Sequence, residues 1–339
     1  MDADDVEHEV RAELTRIVGA ARSRRSLRER TEGGDDDATR RQLGELGILD
    51  ALLPDAPGGL RLVLAAVEEV AVGLVAADLL ASTLAVWTGL AAGPWPPIPP
   101  GPTAVAWPGF LAGPEPVRRA AGDGSVTGRL GYVPAGLSAT HLVLVLPDSA
   151  GAAVCLVALD HTHRQPLAVA DPSRPAAVVE LRSAPARDLG HLSTVELDRL
   201  RAAWLVAVAA DCLGGMRATH DAAVGYARQR TAFGRPIGGF QAVRHRCADM
   251  FVDVETTRAV VRGAVAAVDA GDGDALTLAL AAASHAMDAF GRVAESSILV
   301  HGALGFTYEC EAHFYARRAY GNAALLGGVD GLRAELATV

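Results

Sequence analysis

The residues best suited to chemistry lie between Tyr226 and Gln241, in the stretch YARQRTAFGRPIGGFQ. Its three arginines, Arg228, Arg230 and Arg235, surround a Gly/Pro turn between two predicted helices. Guanidinium groups and the free N–H groups at the start of a helix both bind phosphate, so this arrangement suits a phosphate or pyrophosphate. Ordinary helix capping with surface arginines explains the same residues, and physical reasoning alone leaves both interpretations open.

A second candidate is the glycine-rich turn at residues 301–309, HGALGFTYE. Gly302 and Gly305 have no Cβ, so the backbone there can approach a phosphate closely. A turn between two helices that keeps its glycines for shape accounts for the same sequence.

Residue composition argues against several other kinds of site. All 31 basic residues are Arg, which excludes a Schiff-base lysine and a Walker-type lysine. His161 and His163 have no neighbouring ligand cluster and predict a solvated loop rather than a metal site. The cysteines lack CxxC spacing and predict reduced thiols in a cytoplasmic protein, not zinc ligands or a disulfide framework. They are Cys155, Cys212, Cys247 and Cys310.

The acidic residues offer weak candidates for a catalytic base. Asp211 lies inside an apolar stretch and is interpreted as a buried hydrogen-bonded group or a substrate contact, with a catalytic role as the minor alternative. Glu309 and Glu311 precede the basic pair Arg317 and Arg318, which predicts ion pairs at a surface or at a subunit contact.

Charge and hydropathy exclude two classes of partner. The formal net charge of -9 argues against nucleic-acid binding, and the basic run at residues 22–30 is broken enough to predict a solvated helix face. The apolar segment at residues 60–90 contains Glu68, Glu69 and Asp78, so it predicts buried helices rather than a membrane span.

The chain divides into three zones that differ in composition and in predicted secondary structure. Residues 1–98 are rich in Ala, Leu and Glu and predict helices at 61–78 and 79–92, followed by a joint at 93–102 with six prolines. Residues 99–190 contain short β-branched runs separated by turn residues, which predicts a β domain of five to seven strands.

Residues 191–339 return to helical spacing. Long helices joined by short loops pack as antiparallel bundles, so this zone predicts a four-helix bundle. The predicted helices cover residues 194–230, 239–270, 274–300 and 308–338.

The stretch from Tyr226 to Gln241 resembles the acyl-CoA dehydrogenase signature Y-x-x-x-R-x-x-F-G-x-x-I-x-x-x-Q at every marked position. The resemblance implies a helical N-terminal domain, a middle β-barrel or sandwich and a C-terminal four-helix bundle. It also implies FAD as cofactor, with Arg230 at the pyrophosphate and Phe233 and Gln241 along the rest of the dinucleotide.

Other segments resemble the family less closely. The turn at 301–309 is similar to the one that lines the adenosine end of FAD in the family, which implies cofactor contacts for Gly302 and Gly305. Leu299 and Ala303 replace a Gln and a Gly of that pattern. Residues 171–174, DPSR, resemble a D-x-T-R turn of actinobacterial members, but the family's flavin-facing segments of the β domain are not visible.

The two positions at which the family carries its catalytic Glu are occupied by other residues. The position after the glycine-rich turn falls on Leu326, and the alternative position on the long helix falls on Trp204. An α C–H is a weak acid and needs a positioned base, so the resemblance implies that this chain has no catalytic residue of its own.

The sequence therefore predicts a subunit of a heteromeric, FAD-dependent acyl-CoA dehydrogenase. It resembles the base-lacking chain of actinobacterial α2β2 enzymes of steroid side-chain breakdown, whose partner subunit carries the base and most of the FAD site. The substrate is expected to be an acyl-CoA. A homo-oligomeric flavoenzyme of altered chemistry and a non-catalytic acyl-CoA-binding scaffold are the alternatives.

Overall fold

The structure, a computed structural model, is mainly helical with a central β region, as predicted. The predicted proline-rich joint falls mostly outside the described residues, as does His161. The described residues are 3–33, 37–53, 59–75, 78–93, 102–107, 117–160 and 162–338.

The N-terminal part is helical. The prediction for 79–92 is confirmed, whereas the preceding helix ends at Gly73 because Leu74 takes a φ of 48°, which is not helical. Arg30, expected on a solvated face, is buried and donates to the Gly73 carbonyl at 2.8 Å. The elements are α1 (Ala3–Arg24), α2 (Leu27–Gly33), α3 (Asp37–Glu45), a 3-10 turn (Ile48–Leu52), α4 (Gly59–Gly73) and α5 (Leu79–Ala92).

Eight strands form a sandwich of two four-stranded sheets, with the orders β1-β4-β5-β8 and β2-β3-β7-β6. The prediction of five to seven strands was too low because the two-residue β2 and the polar, largely exposed β6 carry no β-branched run. His163 is the first residue of β6 and lies opposite Glu180 of β7 in the strand register, so its prediction as a loop residue was wrong. The strands are β1 (Thr103–Ala106), β2 (Arg118–Arg119), β3 (Val126–Pro134), β4 (His141–Asp148), β5 (Gly151–Ala158), β6 (His163–Leu167), β7 (Ala176–Ala184) and β8 (Ala186–Ser193).

The sandwich has its own apolar core, which lies between the two sheets. Leu130 of β3 and Leu142 of β4 point into it and are fully buried. Alternating side chains of β1, β3, β4, β5 and β7 supply most of this core, as expected for two sheets packed face to face.

The long helix α6 (Thr194–Gln229) follows β8 directly. It begins at a capping box, in which the Ser193 hydroxyl accepts from the Glu196 N–H and the Glu196 carboxylate accepts from the Ser193 N–H. Residues 202–216 of this helix are buried on all sides, which places α6 in the centre of the molecule.

The small residues of α6 permit close helix packing. A Cβ added to Gly214 would lie 2.0 Å from the Glu68 carbonyl of α4, and one added to Gly215 would lie 2.3 Å from the ring of Phe290. The Ala/Gly-rich stretch at 202–215 therefore serves packing and leaves no room for an acyl group at these two positions.

Two further long helices, α7 (Gln241–Ala270) and α8 (Ala275–His301), complete the antiparallel core of the bundle and confirm the predicted ranges. The single helix predicted over 308–338 is wrong. The chain instead forms α9 (Ala312–Ala323), a 3-10 turn (Leu325–Gly327) and α10 (Gly328–Leu336). Positive φ angles at Leu326, Gly327 and Gly328 break the helix there.

The order of these helices determines where the candidate residues meet. α6 ends, α7 begins and α8 ends at the same end of the bundle, because successive helices run in opposite directions. Among the described residues, no helix is both long enough and apolar enough to cross a bilayer.

Candidate functional site

The signature stretch forms a short β-hairpin between α6 and α7. β9 (Thr231–Ala232) pairs with β10 (Arg235–Pro236) and leaves Phe233 and Gly234 at the tip. The Ile237 N–H donates to the Arg230 carbonyl at 2.8 Å and holds the hairpin against the end of α6. The motif is thus a defined structure and not an irregular linker.

Phe233 is the most exposed large apolar side chain among the described residues, with 95% of its surface accessible. Its φ is 51°, a left-handed conformation that is uncommon for a bulky residue. Phe240 contacts its ring edge-on at 6.1 Å between centroids. A strained backbone that holds an aromatic ring in solvent is a feature associated with binding sites.

The arginines of the motif are exposed as well. Arg228, Arg230 and Arg244 have no ionic partner within the described part of the chain. Arg235 lies over the ring of Phe240, with its guanidinium carbon 4.2 Å from the ring centroid. Gln241 is exposed at the start of α7, so the motif presents cationic and amide donors to one open surface.

The glycine-rich turn lies at the same end of the bundle. His301 stacks on Tyr226 of the signature stretch, with 4.5 Å between ring centroids. Gly302 has a φ of 63°, and a Cβ added there would meet nothing within 4 Å. A Cβ on Gly305 would lie 2.7 Å from the Ile298 carbonyl, so packing within this chain alone requires Gly305.

Two large apolar residues flank this turn in solvent. Leu299, which stands where the family pattern has a Gln, is 58% exposed, and Phe306 is 72% exposed. The end of the bundle that carries both motifs is therefore apolar as well as cationic.

Cys310 follows this turn and differs from the other cysteines. Burial raises the pKa of its thiol, but the neighbouring His301 and the Ala312 N–H outweigh burial and lower it. For Cys155 and Cys212, burial dominates and raises the pKa to about 11 and about 12, respectively. No local sequence pattern distinguishes Cys310 from the other cysteines, because its environment depends on the fold of the turn.

Leu326, at the first predicted base position, is buried and only 3% exposed. It adopts a left-handed conformation with a φ of 57° in the turn before α10. The cavity beside it is about 20 Å³, the space of roughly one water molecule. Its described lining residues are apolar except for Arg174, so none of their side chains can accept a proton there.

Trp204, at the second predicted base position, is fully buried in α6. Its indole N–H donates to the Thr88 hydroxyl of α5 at 3.3 Å. Its ring meets Trp107 edge-to-face, with 5.5 Å between centroids. The two indoles fill the space between α6 and the end of β1.

Asp211 belongs to a buried charge network of five residues, Asp171, Arg174, Asp211, Arg318 and Asn322. Its carboxylate forms an ion pair with Arg174 at 2.8 Å and accepts hydrogen bonds from Arg318 at 2.8 Å and from the Asn322 amide at 2.7 Å. Arg318 also donates to Asp171 at 2.6 Å. The network joins the loop before β7, α6 and α9, and its two aspartates balance its two arginines.

The charges of this network are held in their ionised forms. Burial raises the pKa of Asp211, but Arg174 and Arg318 outweigh burial and bring it below the ordinary value. Burial likewise lowers the pKa of Arg318, and the two aspartates more than reverse that effect. A carboxylate held so firmly as an anion is a poor proton acceptor, which disfavours Asp211 as a base.

The predicted ion pair at a surface is confirmed for Glu311, although its partner does not belong to the basic pair Arg317–Arg318. Arg318 is buried in the charge network, and Glu311 pairs with Arg22 of α1 at 2.8 Å. The sequence indicated Asp171 and Arg174 only as a turn motif, and no local pattern links them to Arg318.

The exposed end and the interior differ in how well they fit FAD. At the end of the bundle, Arg230, Phe233 and Gln241 are open to a dinucleotide, and the space at Gly302 is open too. Between α6 and the sandwich, Trp107 and Trp204 occupy the interior. The residues present fit the phosphate end of FAD at the surface but leave no room for a flavin ring beside Trp204.

The C-terminal part of the chain matches a known protein family. Residues 204–336 match the family described as acyl-CoA dehydrogenase, C-terminal domain. Acyl-CoA dehydrogenase FadE34 of Mycobacterium tuberculosis is 39% identical over 207 residues, which is 61% of this chain and 28% of that protein. The chain thus spans less than a third of the length of this curated relative.

Solved structures match over nearly the whole chain. A variant of the Tcur3481–Tcur3483 steroid ACAD has a TM-score of 0.87 at 24% identity, covering 99% of this chain and 98% of that one. The ChsE4–ChsE5 complex from Mycobacterium tuberculosis has a TM-score of 0.86 at 24% identity, covering 100% and 98%. These matches show that the whole chain has the acyl-CoA dehydrogenase fold.

Proposed function

We propose that this chain is a subunit of a heteromeric acyl-CoA dehydrogenase and has no catalytic base of its own. Its residues 204–336 match the C-terminal domain of that family, and the whole chain has the family's fold. In this proposal an unlike partner subunit supplies the catalytic carboxylate and most of the FAD site. This chain contributes FAD contacts across the subunit interface.

The observation that carries the proposal is the contrast between a closed interior and an open motif. Leu326 and Trp204 are buried at the two predicted base positions, and the cavity beside Leu326 is only about 20 Å³. Phe233 and Arg230 of the signature stretch are exposed. Residues that reach across an interface stay useful when the chain's own site is closed.

Bound FAD would supply the hydride acceptor for the α,β-dehydrogenation of a CoA thioester. On this chain, Arg230 would hold the pyrophosphate, and Phe233 and Gln241 would contact the dinucleotide further along. Gly302 and Gly305 would shape the turn at its adenosine end. These residues bind and orient the cofactor, and none of them takes the α-proton.

The substrate and the partner are proposed from the relatives. One structural neighbour is described as a steroid ACAD and another as a complex of two differently named chains, so we propose a bulky, steroid-like acyl group and a second subunit of the same fold. The acyl group would lie in the partner, because the cavity beside Leu326 in this chain is too small for it.

A homo-oligomeric enzyme with Asp211 as its base is less well supported. That carboxylate is buried and bound by two arginines and an amide, and its pKa is lowered, so it is a poor acceptor of a substrate proton.

Native mass spectrometry tests the proposal. The chain would be expressed alone and then together with each acyl-CoA dehydrogenase homologue of its own genome that carries a Glu at either base position. We expect FAD only in a mixed assembly, at one FAD per unlike pair. A homo-oligomer of this chain with one FAD per subunit would contradict the proposal.

A matched pair of variants tests the contacts across the interface. Phe233→Ala should lower the FAD content of the mixed assembly, because it removes the aromatic surface at the hairpin tip. Leu137→Ala removes another exposed apolar residue, on the sandwich, and should leave FAD content unchanged. Equal effects of the two variants would remove the hairpin from the cofactor site.

A further inference from the structure

The end of the bundle that carries the signature stretch has an unusual charge for this chain. Residues 226–248 contain five arginines and one histidine but no Asp or Glu, although the whole chain carries a net charge of -9. All five arginine side chains are exposed. They are Arg228, Arg230, Arg235, Arg244 and Arg246.

These arginines are not neutralised within the chain. Elsewhere, arginines at element contacts are paired, as when Arg217 meets Glu68 at 2.6 Å and Arg292 meets Asp253 at 2.7 Å. None of the five has an ionic partner in the part of the chain that the structure describes. The cationic end is therefore a fixed local excess of positive charge.

Exposed apolar side chains accompany this charge. Phe251 and Val252 of α7 are 53% and 61% exposed and follow Arg244 two turns along the helix. His220 of α6 packs against the Phe251 ring at 5.8 Å. Exposed apolar side chains next to a cationic segment are typical of a protein interface and not of a surface that only faces solvent.

The charge exceeds what a flavin dinucleotide needs. A pyrophosphate carries two phosphate groups, and one guanidinium can hold a phosphate with two parallel hydrogen bonds. Arg230 in the signature and a neighbour such as Arg228 would satisfy it. The arginines on α7 are then not needed for the pyrophosphate and are free to bind a different anionic surface.

Pairing with a second copy of this chain through the same end is disfavoured by that charge. A twofold interface brings the same patch of both subunits together, which here would double an uncompensated cationic charge. Like charges opposed across an interface cost free energy and suppress that pairing.

We propose that the cationic end, defined as the exposed face of residues 226–252 with its five arginines and one carboxylate, Asp249, docks on an acidic face of the unlike, flavin-carrying subunit. Its charge steers that association and prevents self-pairing. The inference rests on the proposed function and adds the chemistry of the partner's surface. The apolar contacts of this interface would be made by Phe233, Phe251 and Val252.

The first test needs only this chain. The double variant Arg244→Glu/Arg246→Glu would be mixed with the wild-type chain, and the assembly measured by sedimentation velocity at low and high salt. We expect a 1:1 pair in the mixture that weakens as salt rises, and no such pair from the wild-type chain alone. Arg118→Glu/Arg187→Glu carries the same change of charge on exposed residues of the sandwich and should not pair.

The second test uses the mixed assembly found by native mass spectrometry. Charge reversal at residues 244 and 246 should lower the association rate constant with the flavin-carrying chain by roughly tenfold or more at low salt, and the control double variant should not. An association rate unaffected by the reversal, or one equally affected by the control, would overturn the inference while the proposed function stands.

The two experiments distinguish a failure of the proposed function from a failure of the inference about charge. If no flavin-carrying partner is found, the proposed function fails, and the mixing experiment still decides whether the arginines control pairing. Tight, salt-independent self-association of the wild-type chain through this end would overturn the inference by itself.

Discussion

Removal of Arg318 should destabilise this protein far more than removal of its neighbour Arg317. Arg318→Ala takes away the cation that contacts Asp171 at 2.6 Å and Asp211 at 2.8 Å, all three groups being buried. Breaking one buried ion pair costs about 3–5 kcal/mol, because the remaining charge is left without a partner. Asp211 keeps Arg174 and Asn322, whereas Asp171 keeps, among the described residues, only the N–H and hydroxyl of Ser173, so the loss should lie within that range.

The assay is urea denaturation followed by tryptophan fluorescence, since Trp107 and Trp204 lie between the sandwich and α6. The control Arg317→Ala removes a half-buried arginine one position away and should cost less than about 1 kcal/mol. If both variants shift the denaturation midpoint equally, the network does not hold the sandwich and the bundle together, and the argument from buried charge is refuted.

The same network predicts the acid limit of stability. Because the folded-state pKa of Asp211 is lowered, its contribution is complete above the ordinary value of 3.8 and is lost as pH falls through the lower folded-state value. Asp211→Asn should flatten this acid transition while lowering stability at neutral pH. If the acid transition is unchanged in this variant, other carboxylates cause the loss of stability at low pH.

Three further outcomes are expected. Arg230→Ala should weaken FAD retention in the mixed assembly by about 1.5–3 kcal/mol, the value of one charge-assisted hydrogen bond, whereas Arg187→Ala should not change FAD content. Leu326→Glu should give no turnover from this chain alone, since a carboxylate there faces a cavity of about 20 Å³; activity with an acyl-CoA would contradict the closed interior. The Cys310 thiol should ionise at a lower pH than the buried thiols of Cys155 and Cys212, and His301→Phe should raise its pKa; an unchanged pKa, measured by pH-dependent alkylation and peptide mass spectrometry, would show that His301 does not lower it.

Local sequence signals predicted the elements that depend on local chemistry. The bounds of α6, α7 and α8 follow from helical spacing that ends at Gly/Pro turns, and the break at Gly234 follows from its turn sequence. The exposed β6 and the early end of α4 were missed, because a polar strand at a sheet edge and a left-handed Leu74 have no apolar pattern to reveal them.

The sequence by itself determined the order of the three zones, the family resemblance of residues 226–241 and the absence of an acid at positions 204 and 326. Only the tertiary structure decided what surrounds those positions. Asp211 and Arg318 are far apart in the chain and meet because α6 and α9 pack side by side. Burial then turns that meeting into a fixed ion pair, and the same packing leaves Phe233 in solvent, since contacts between distant segments are not encoded in local spacing.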